Sequence, residues 1–211
     1  MTRIIIVDDH AIVRRGLRQI LADSPDLFVA AECGNGQELL GLLDGRDEYD
    51  LILLDISMPG RNGLDIFKQI KEKKPDVPVL ILTMHPEEQY AIRALKAGVH
   101  GYITKESAPD ELVGAIRKVS QGGRYVSASL SESIAIALGN EKGYEPHELL
   151  SDREYQIMCM MANGKTATGI ANELSLSVKT VSTYRARILK KMHLRNNAEL
   201  ARHAIKCGLV D

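Results

Sequence analysis

Cysteine is scarce in this chain, and long apolar runs are missing. The 211 residues hold three cysteines, Cys33, Cys159 and Cys207, odd in number and widely scattered. That pattern excludes a disulfide framework and offers no metal-ligand spacing. The expectation is three small buried hydrophobes in a reducing, cytoplasmic compartment. The apolar runs are far shorter than the ~20 residues of a membrane helix, so no membrane partner is expected. Met1-Thr2-Arg3 leads straight into an apolar segment, so no signal peptide is expected. Internal repeats and low-complexity tracts are also missing. The formal net charge is only -1, so the chain as a whole has no pull on a polyanion.

What is present is enough apolar residue, 45% of the chain, for a real core, and enough length for two modest domains. The charge is unevenly spread. Residues 148–211 hold ten Lys/Arg against six Asp/Glu, net +4, and residues 1–147 hold seventeen against twenty-two, net -5. A basic half joined to an acidic half points to a polyanion partner for the second alone; chance imbalance is the plain alternative.

In the first half, polar residues sit just past the ends of four apolar runs. Asp8 and Asp9 follow Ile4-Ile5-Ile6-Val7, and Asp55 follows Leu51-Ile52-Leu53-Leu54. Thr83 follows Val79-Leu80-Ile81-Leu82, and Lys105 follows Tyr102-Ile103-Thr104. Short apolar runs separated by helix-length amphipathic stretches read as buried parallel strands in a βαβ series. Parallel strands end on one edge of the sheet, where ligands bind. Taken singly, these residues read as helix caps, turn residues and solvated surface. Their joint placement predicts one pocket holding three carboxylates, a hydroxyl and an ammonium.

Three carboxylates at close quarters repel one another unless a cation joins them. Oxygen-only ligands point to Mg2+, which recruits phosphate oxygens and so suggests phosphoryl chemistry. Asp55, at the central strand end, is the candidate nucleophile to carry a phosphoryl group. Lys105 would neutralise charge on that group, and Thr83 would donate a hydrogen bond to it.

These residues resemble the receiver domain of two-component response regulators. The likeness lies in Asp8-Asp9, in Asp55-Ile-Ser-Met-Pro-Gly-Arg-Asn-Gly63, in Thr83 and in Lys105 before Ala108-Pro109. It covers about the first 120 residues. The resemblance implies Asp55 as phospho-acceptor from a sensor histidine kinase. It implies Mg2+ held by Asp9, Asp55 and the backbone carbonyl of Ser57, with Asp8 acting through water. Tyr102 takes the aromatic switch position, which moves with Thr83 in that family; the alternative is a half-buried aromatic at the sheet edge.

Helices are expected near 10–22, 36–43, 62–73, 87–97 and 109–120. Leu112, Ala115, Ile116 and Val119 form the clearest core-facing stripe. Pro59-Gly60 and Gly122-Gly123 punctuate loops. The reading is a receiver domain over 1–120, a linker over 121–147 and an all-α domain over 148–211. The linker carries a short helix from Ser129 to Leu138, then a flexible stretch from Gly139 to Gly143.

From 148 the strand pattern stops and four helices follow. Ser151-Asp-Arg-Glu154 is a capping box for a helix closing at Gly164. Thr166 caps a second, and a third runs from Val178 to about Met192. Asn196-Asn-Ala-Glu199 is a box-like start for a fourth, ending at Gly208. The short turn at Ser175-Leu-Ser177 suggests a helix-turn-helix, though without its frequent glycine. On the third helix Val181, Tyr184, Ile188 and Met192 share a core face. Residues 178–192 hold five basic residues and no acidic one. Such a helix suits a DNA major groove; an ordinary solvated helix is the alternative.

This half resembles the LuxR-type helix-turn-helix of the NarL/FixJ response-regulator subfamily. The matching stretches are Leu150-Ser-Asp-Arg-Glu154, Ala162-Asn-Gly-Lys-Thr166, Ile170-Ala171-Leu174 and Ser177 through Met192. Many members carry Lys and His where Ser182 and Tyr184 stand, and some a Lys where Ala186 stands. Base readout therefore falls to Lys179, Thr183 and Arg185 within a DNA-binding set of Thr166, Lys179, Thr180, Ser182, Thr183, Arg185, Arg187, Lys190 and Lys191. The resemblance implies pairing of two protomers through the fourth helix, with Leu200, Ala201 and Ala204 as the face or, alternatively, as core.

The expected fold is α/β: a doubly wound, five-stranded, flavodoxin-like receiver with a smaller all-α helix-turn-helix domain. The expected function is a phosphorylation-dependent regulator of transcription that binds double-stranded DNA as a homodimer. Two alternatives differ in class. A phosphatase working through an aspartyl phosphate would want a general acid two residues after Asp55, where Ser57 stands. A ligand-sensing regulator would need no carboxylate cluster.

Overall fold

The computed structural model describes residues 1–58, 63–84, 87–127, 131 and 146–210. The Pro59-Gly60 loop, the flexible 139–143 stretch and all but Ser131 of the expected 129–138 helix lie outside the described residues. The chain divides into two compact units, Met1–Ile136 and Ala137–Asp211.

The first unit alternates strands and helices: β1 Thr2–Val7, α1 Ala11–Ala22, β2 Leu27–Cys33, α2 Gly36–Leu43, β3 Leu51–Asp55, α3 Gly63–Lys73, β4 Val79–Thr83, α4 Glu87–Lys96, β5 Gly101–Thr104 and α5 Ala108–Ser120. The strands form one parallel sheet in the order β2-β1-β3-β4-β5. The order reverses at β1 and β3, so a crevice opens beyond their C-terminal ends.

The pleat sends alternate residues to opposite faces. Ile4, Ile6, Leu51, Leu53, Leu80, Leu82 and Ile103 form one core with Leu17 and Leu21 of α1 and Leu112 and Ile116 of α5. The alternate residues Ile5, Ile52, Leu54 and Ile81 are equally buried. Each such side chain contributes about 1.5–3 kcal/mol on burial. Continuous Ile/Leu runs therefore specify strands covered on both faces. The β5 edge is covered too. Tyr125 accepts from Tyr102 N at 3.3 Å and donates from its own N to His100 O at 3.0 Å.

The described part of the second unit starts with a 3-10 turn, Pro146–Leu149, which the sequence pattern does not predict. Four helices follow: α6 Asp152–Ala162, α7 Ala167–Glu173, α8 Val178–Lys191 and α9 Asn197–Lys206. Each start is fixed by a side-chain cap, from Ser151, Thr166, Ser177 and Asn196 respectively. At Ser151 both halves of the capping box close. At the fourth start the Glu199 carboxylate instead reaches the Arg195 N–H, at 2.7 Å.

Each of these helices ends with a 6→1 and a 5→2 backbone bond, the Schellman arrangement. After α7 these are Leu176 N to Ala171 O (2.8 Å) and Ser175 N to Asn172 O (3.3 Å). The left-handed residue is glycine after α6 and α9, Gly164 and Gly208, but Ser175 (φ 51) after α7 and His193 (φ 55) after α8. Ser175 therefore takes the backbone role of the glycine missing from the turn.

Candidate acidic pocket and nucleic-acid interface

The strand ends bring the predicted residues together. Asp55 is the last residue of β3 and Thr83 the last of β4, while Asp8 and Lys105 follow β1 and β5. Lys105 N donates to Thr83 O at 2.8 Å, which seats the lysine beside β4. Its ammonium donates to Asp55 Oδ2 at 2.7 Å and lies 2.7 Å from Asp8 Oδ2. Asp8 and Asp55 are each 1% exposed. Ser57 N donates to Asp55 Oδ1 at 2.8 Å, and Ser57 Oγ lies 3.2 Å from Thr83 Oγ1. Both oxygens of Asp55 are thus oriented by named donors.

Burial raises the Asp55 carboxyl above its ordinary range, against the pull of Lys105 and Ser57 N–H and with the repulsion of Asp8. Burial works against the Lys105 charge, yet Asp55 and Asp8 outweigh it and raise the ammonium. Among the described residues the Lys105 ammonium therefore stands against Asp8, Asp9 and Asp55. Oxygens of these three carboxylates, with a nitrogen of His10, lie within 4.8 Å of one another. Asp9 Oδ1 is buried and receives no hydrogen bond from the described residues; His10 Nδ1 lies 3.0 Å away. The oxygen-rich donor set fits a hard divalent cation. His10 was absent from the predicted set. Its adjacency to Asp8-Asp9 was the available signal.

Gly63 fixes the far end of the loop after Asp55. A Cβ there would lie 2.3 Å from the Cα of Ile56. Tyr102 is fully buried, 0% exposed, rather than half-buried at an edge, and its N–H donates to the Tyr125 carbonyl beside β5.

In the second unit α8 carries the basic residues on its outer side. Lys179, Ser182, Thr183, Arg185, Arg187 and Lys190 are exposed, as is Thr166 at the start of α7; Thr180 is partly exposed. A depression is lined by Ser177, Lys179, Thr180, Thr183, Tyr184 and Arg187. Val181, Ile188 and Met192 are buried as expected, but Tyr184 is only partly buried and faces this depression; Leu189 takes its place inside. Arg185 Nε donates to Asn197 Oδ1 at 2.7 Å.

Lys191 is exposed as well and donates to the buried Glu154 carboxylate at 2.6 Å. Two expectations need correction. Leu200 and Ala204 are 0% exposed and belong to the unit's core; of the expected pairing face only Ala201 reaches the surface. Cys33 and Cys159 are buried as expected, but Cys207 is partly exposed, with Sγ 3.7 Å from His203 Nε2.

Two family models match this chain. Residues 4–117 match the response regulator receiver domain, and residues 148–204 match the bacterial regulatory proteins of the luxR family. The chain is 37% identical over 210 residues to the response regulator UvrY of Escherichia coli K12, covering 99% of this chain and 96% of that protein. It is 37% identical over 213 residues to the response regulator GacA of Pseudomonas aeruginosa, covering 100% and 99%. Among solved structures, the RcsB response regulator of Salmonella typhimurium superposes with a TM-score of 0.61 at 26% identity, over 98% of both chains. A complex of RcsB with DNA gives 0.60 at 26% identity over 96% of each. The chain belongs to the two-component response regulators, in the NarL/FixJ group that joins a receiver to a LuxR-type helix-turn-helix.

Proposed function

We propose that this protein is a transcriptional regulator switched by phosphorylation of Asp55. The observation that carries the reading is Lys105, held 2.7 Å from both Asp55 Oδ2 and Asp8 Oδ2. It places a fixed positive charge where phosphoryl oxygens would arrive. An Asp55 carboxylate oxygen attacks phosphorus, an O–P bond forms, and the P–N bond to the donor histidine of a sensor kinase breaks. Asp9, Asp55 and the Ser57 carbonyl would hold Mg2+, with Asp8 acting through water, and the ion would supply charge neutralisation there. Thr83 then donates its hydroxyl to the phosphoryl group, giving up its contact with Ser57, and Tyr102 responds to that move.

The chain is a regulator rather than an enzyme, as its family indicates, and Ser57 supplies no general acid for turnover. We assign 1–120 to the receiver, 121–147 to a linker and 148–211 to the DNA-binding domain. The helical unit binds double-stranded DNA by inserting the exposed side of α8 into the major groove. Lys179, Thr183 and Arg185 reach base edges, while Thr166, Thr180, Ser182, Arg187, Lys190 and Lys191 hold the flanks. A small recognition surface reads few base pairs, so two protomers share one site. Ala201 and Ile205, one helical turn apart on the outer side of α9, form the pairing face; Ile205 is 58% exposed. Among the described residues no helix is long and apolar enough to cross a membrane. Work in the cytoplasm fits this reading.

The test is incubation with a small phosphodonor and Mg2+, followed by intact mass measurement. One phosphoryl adduct is expected, lost in Asp55→Asn and in the presence of a chelator. An adduct that persists in Asp55→Asn would overturn the assignment.

A further inference from the structure

The geometry points to a second metal site, in the helical unit: His147, His203 and Cys207 form a cradle for a thiophilic divalent cation of the Zn2+ class. His203 and Cys207 are four residues apart near the end of α9, so their side chains share a face. His147 comes from the 3-10 turn, 56 residues earlier in the chain than His203. His147 Nδ1 lies 3.2 Å from His203 Nε2, and that nitrogen lies 3.7 Å from Cys207 Sγ. All three ligand atoms lie within 4.8 Å of one another.

These spacings are those of a coordination shell. With metal–nitrogen bonds of about 2.05 Å and a metal–sulfur bond of about 2.3 Å, tetrahedral angles give edges of about 3.3 Å between nitrogens and about 3.6 Å from nitrogen to sulfur. The two edges that meet at His203 Nε2 differ from these by about 0.1 Å, and the third, from His147 to Cys207, closes within 4.8 Å. The donors are two imidazoles and one thiol, borderline-to-soft ligands that prefer Zn2+ to Mg2+. The site is therefore chemically separate from the acidic pocket.

The supports are already in place. The His147 ring packs at 6.2 Å from the Tyr155 ring and 5.4 Å from the His203 ring. The His147 carbonyl accepts from Leu150 N at 3.3 Å, which fixes the turn. The three residues are partly buried, so a metal could enter without unfolding the unit. Binding would displace the Cys207 proton and leave a fourth position for water. A bound metal would tie the entry of the helical unit to its last helix. Ala201 and Ile205 lie about 200° round that helix from His203 and Cys207, so the outer face would stay clear.

The probe is Zn2+ itself, titrated calorimetrically into the untagged full chain with a His10→Ala background and saturating Mg2+. Those conditions remove the imidazole at the acidic pocket and occupy its carboxylates. One Zn2+ per chain is expected, with affinity reduced at least about tenfold in Cys207→Ser and in His147→Gln. These variants alter different elements, and far-UV circular dichroism checks that each is folded. Co2+ should give a thiolate charge-transfer band in the parent chain that is missing from Cys207→Ser. Equal Zn2+ affinity in parent and folded variants would overturn the proposal. So would failure of the parent to bind Zn2+ saturably, which would leave the His147–His203 contact as a hydrogen bond between rings.

Discussion

Arg153 Nη2 donates to the carbonyl of Leu174, 3.2 Å away. The guanidinium also holds Gln156 Oε1 at 2.7 Å and is buried, with the residue 7% exposed. It thereby ties the first turn of α6 to the residue that caps the end of α7. Arg153→Met should keep the packing but leave that carbonyl unpaired, at a cost of about 1–3 kcal/mol. Chemical denaturation followed by a signal from the helical unit checks it. An unchanged midpoint would show that the contact holds nothing together.

Glu154 sets an acid limit on the same unit. Burial alone would push its carboxyl up, but the bond from Lys191 and the Ser151 N–H pull it below its usual 4.5. The folded state therefore releases this proton more readily than the unfolded one. The stabilisation is present above pH 4.5 and fades as pH falls through the depressed folded value. Glu154→Gln should cost about 1–3 kcal/mol near neutral pH. Denaturation midpoints of the two proteins should converge in acid, and a constant gap would count against the pairing.

Asp55 has the opposite sign. Its carboxyl is raised by burial, so the unfolded chain ionises first, near 3.8. Stability then falls as pH rises through the interval above that value. Asp55→Asn should raise the thermal midpoint of the chelator-treated protein at neutral pH. Mg2+ should stabilise the parent more than the variant. A variant that melts below the parent in chelator would refute this account of the pocket.

The outer face of α8 should divide into roles. Lys190→Ala should weaken binding to all DNA sequences similarly and reduce the salt slope by about one. Thr183 already gives its hydroxyl proton to Lys179 O at 3.0 Å, so its oxygen is left as an acceptor. It should therefore favour an amino group of adenine or cytosine. Thr183→Ala should change preference at one base pair, by about 1–3 kcal/mol. Selection from random DNA separates these outcomes; a uniform loss for Thr183→Ala would remove it from base readout.

Pairing through α9 gives a further expectation. Ile205→Glu places a charge on an apolar, 58% exposed position without touching the core. It should abolish dimers of the phosphorylated protein and weaken operator binding by more than about tenfold, while Asp55 still takes up phosphate. Ala204→Glu is a poorer probe, since its side chain would enter the core. Sedimentation of phosphorylated Ile205→Glu decides the matter, and an intact dimer would move the interface elsewhere.

The pocket was legible because each of its residues follows an apolar run, and parallel strands end on one edge. Helix starts were legible at Ser151, Thr166 and Asn196 because these act through bonds three or fewer residues long. What periodicity could not supply was which long-range partner a side chain meets. Lys191 and Glu154 are 37 residues apart, and nothing local couples them. The N–H of buried Tyr102 donates to Tyr125, in a segment that carries no strand signal. Leu200 and Ala204 share a helix stripe that reads equally well as core or as interface. His203 and Cys207 are four residues apart in the sequence, but His147 joins them only after folding.

Ser175 and His193, the left-handed residues that end α7 and α8, also act on the unfolded chain. A glycine at either point would be free of steric strain but would have more conformations to lose on folding. Serine and histidine exchange some native-state comfort for a stiffer denatured ensemble. Either side of α8, the chain is thus joined by elbows rather than swivels. The direction of α8 is set by backbone geometry at both ends before any DNA is met, and little of the ordering entropy of those turns remains to be lost on binding.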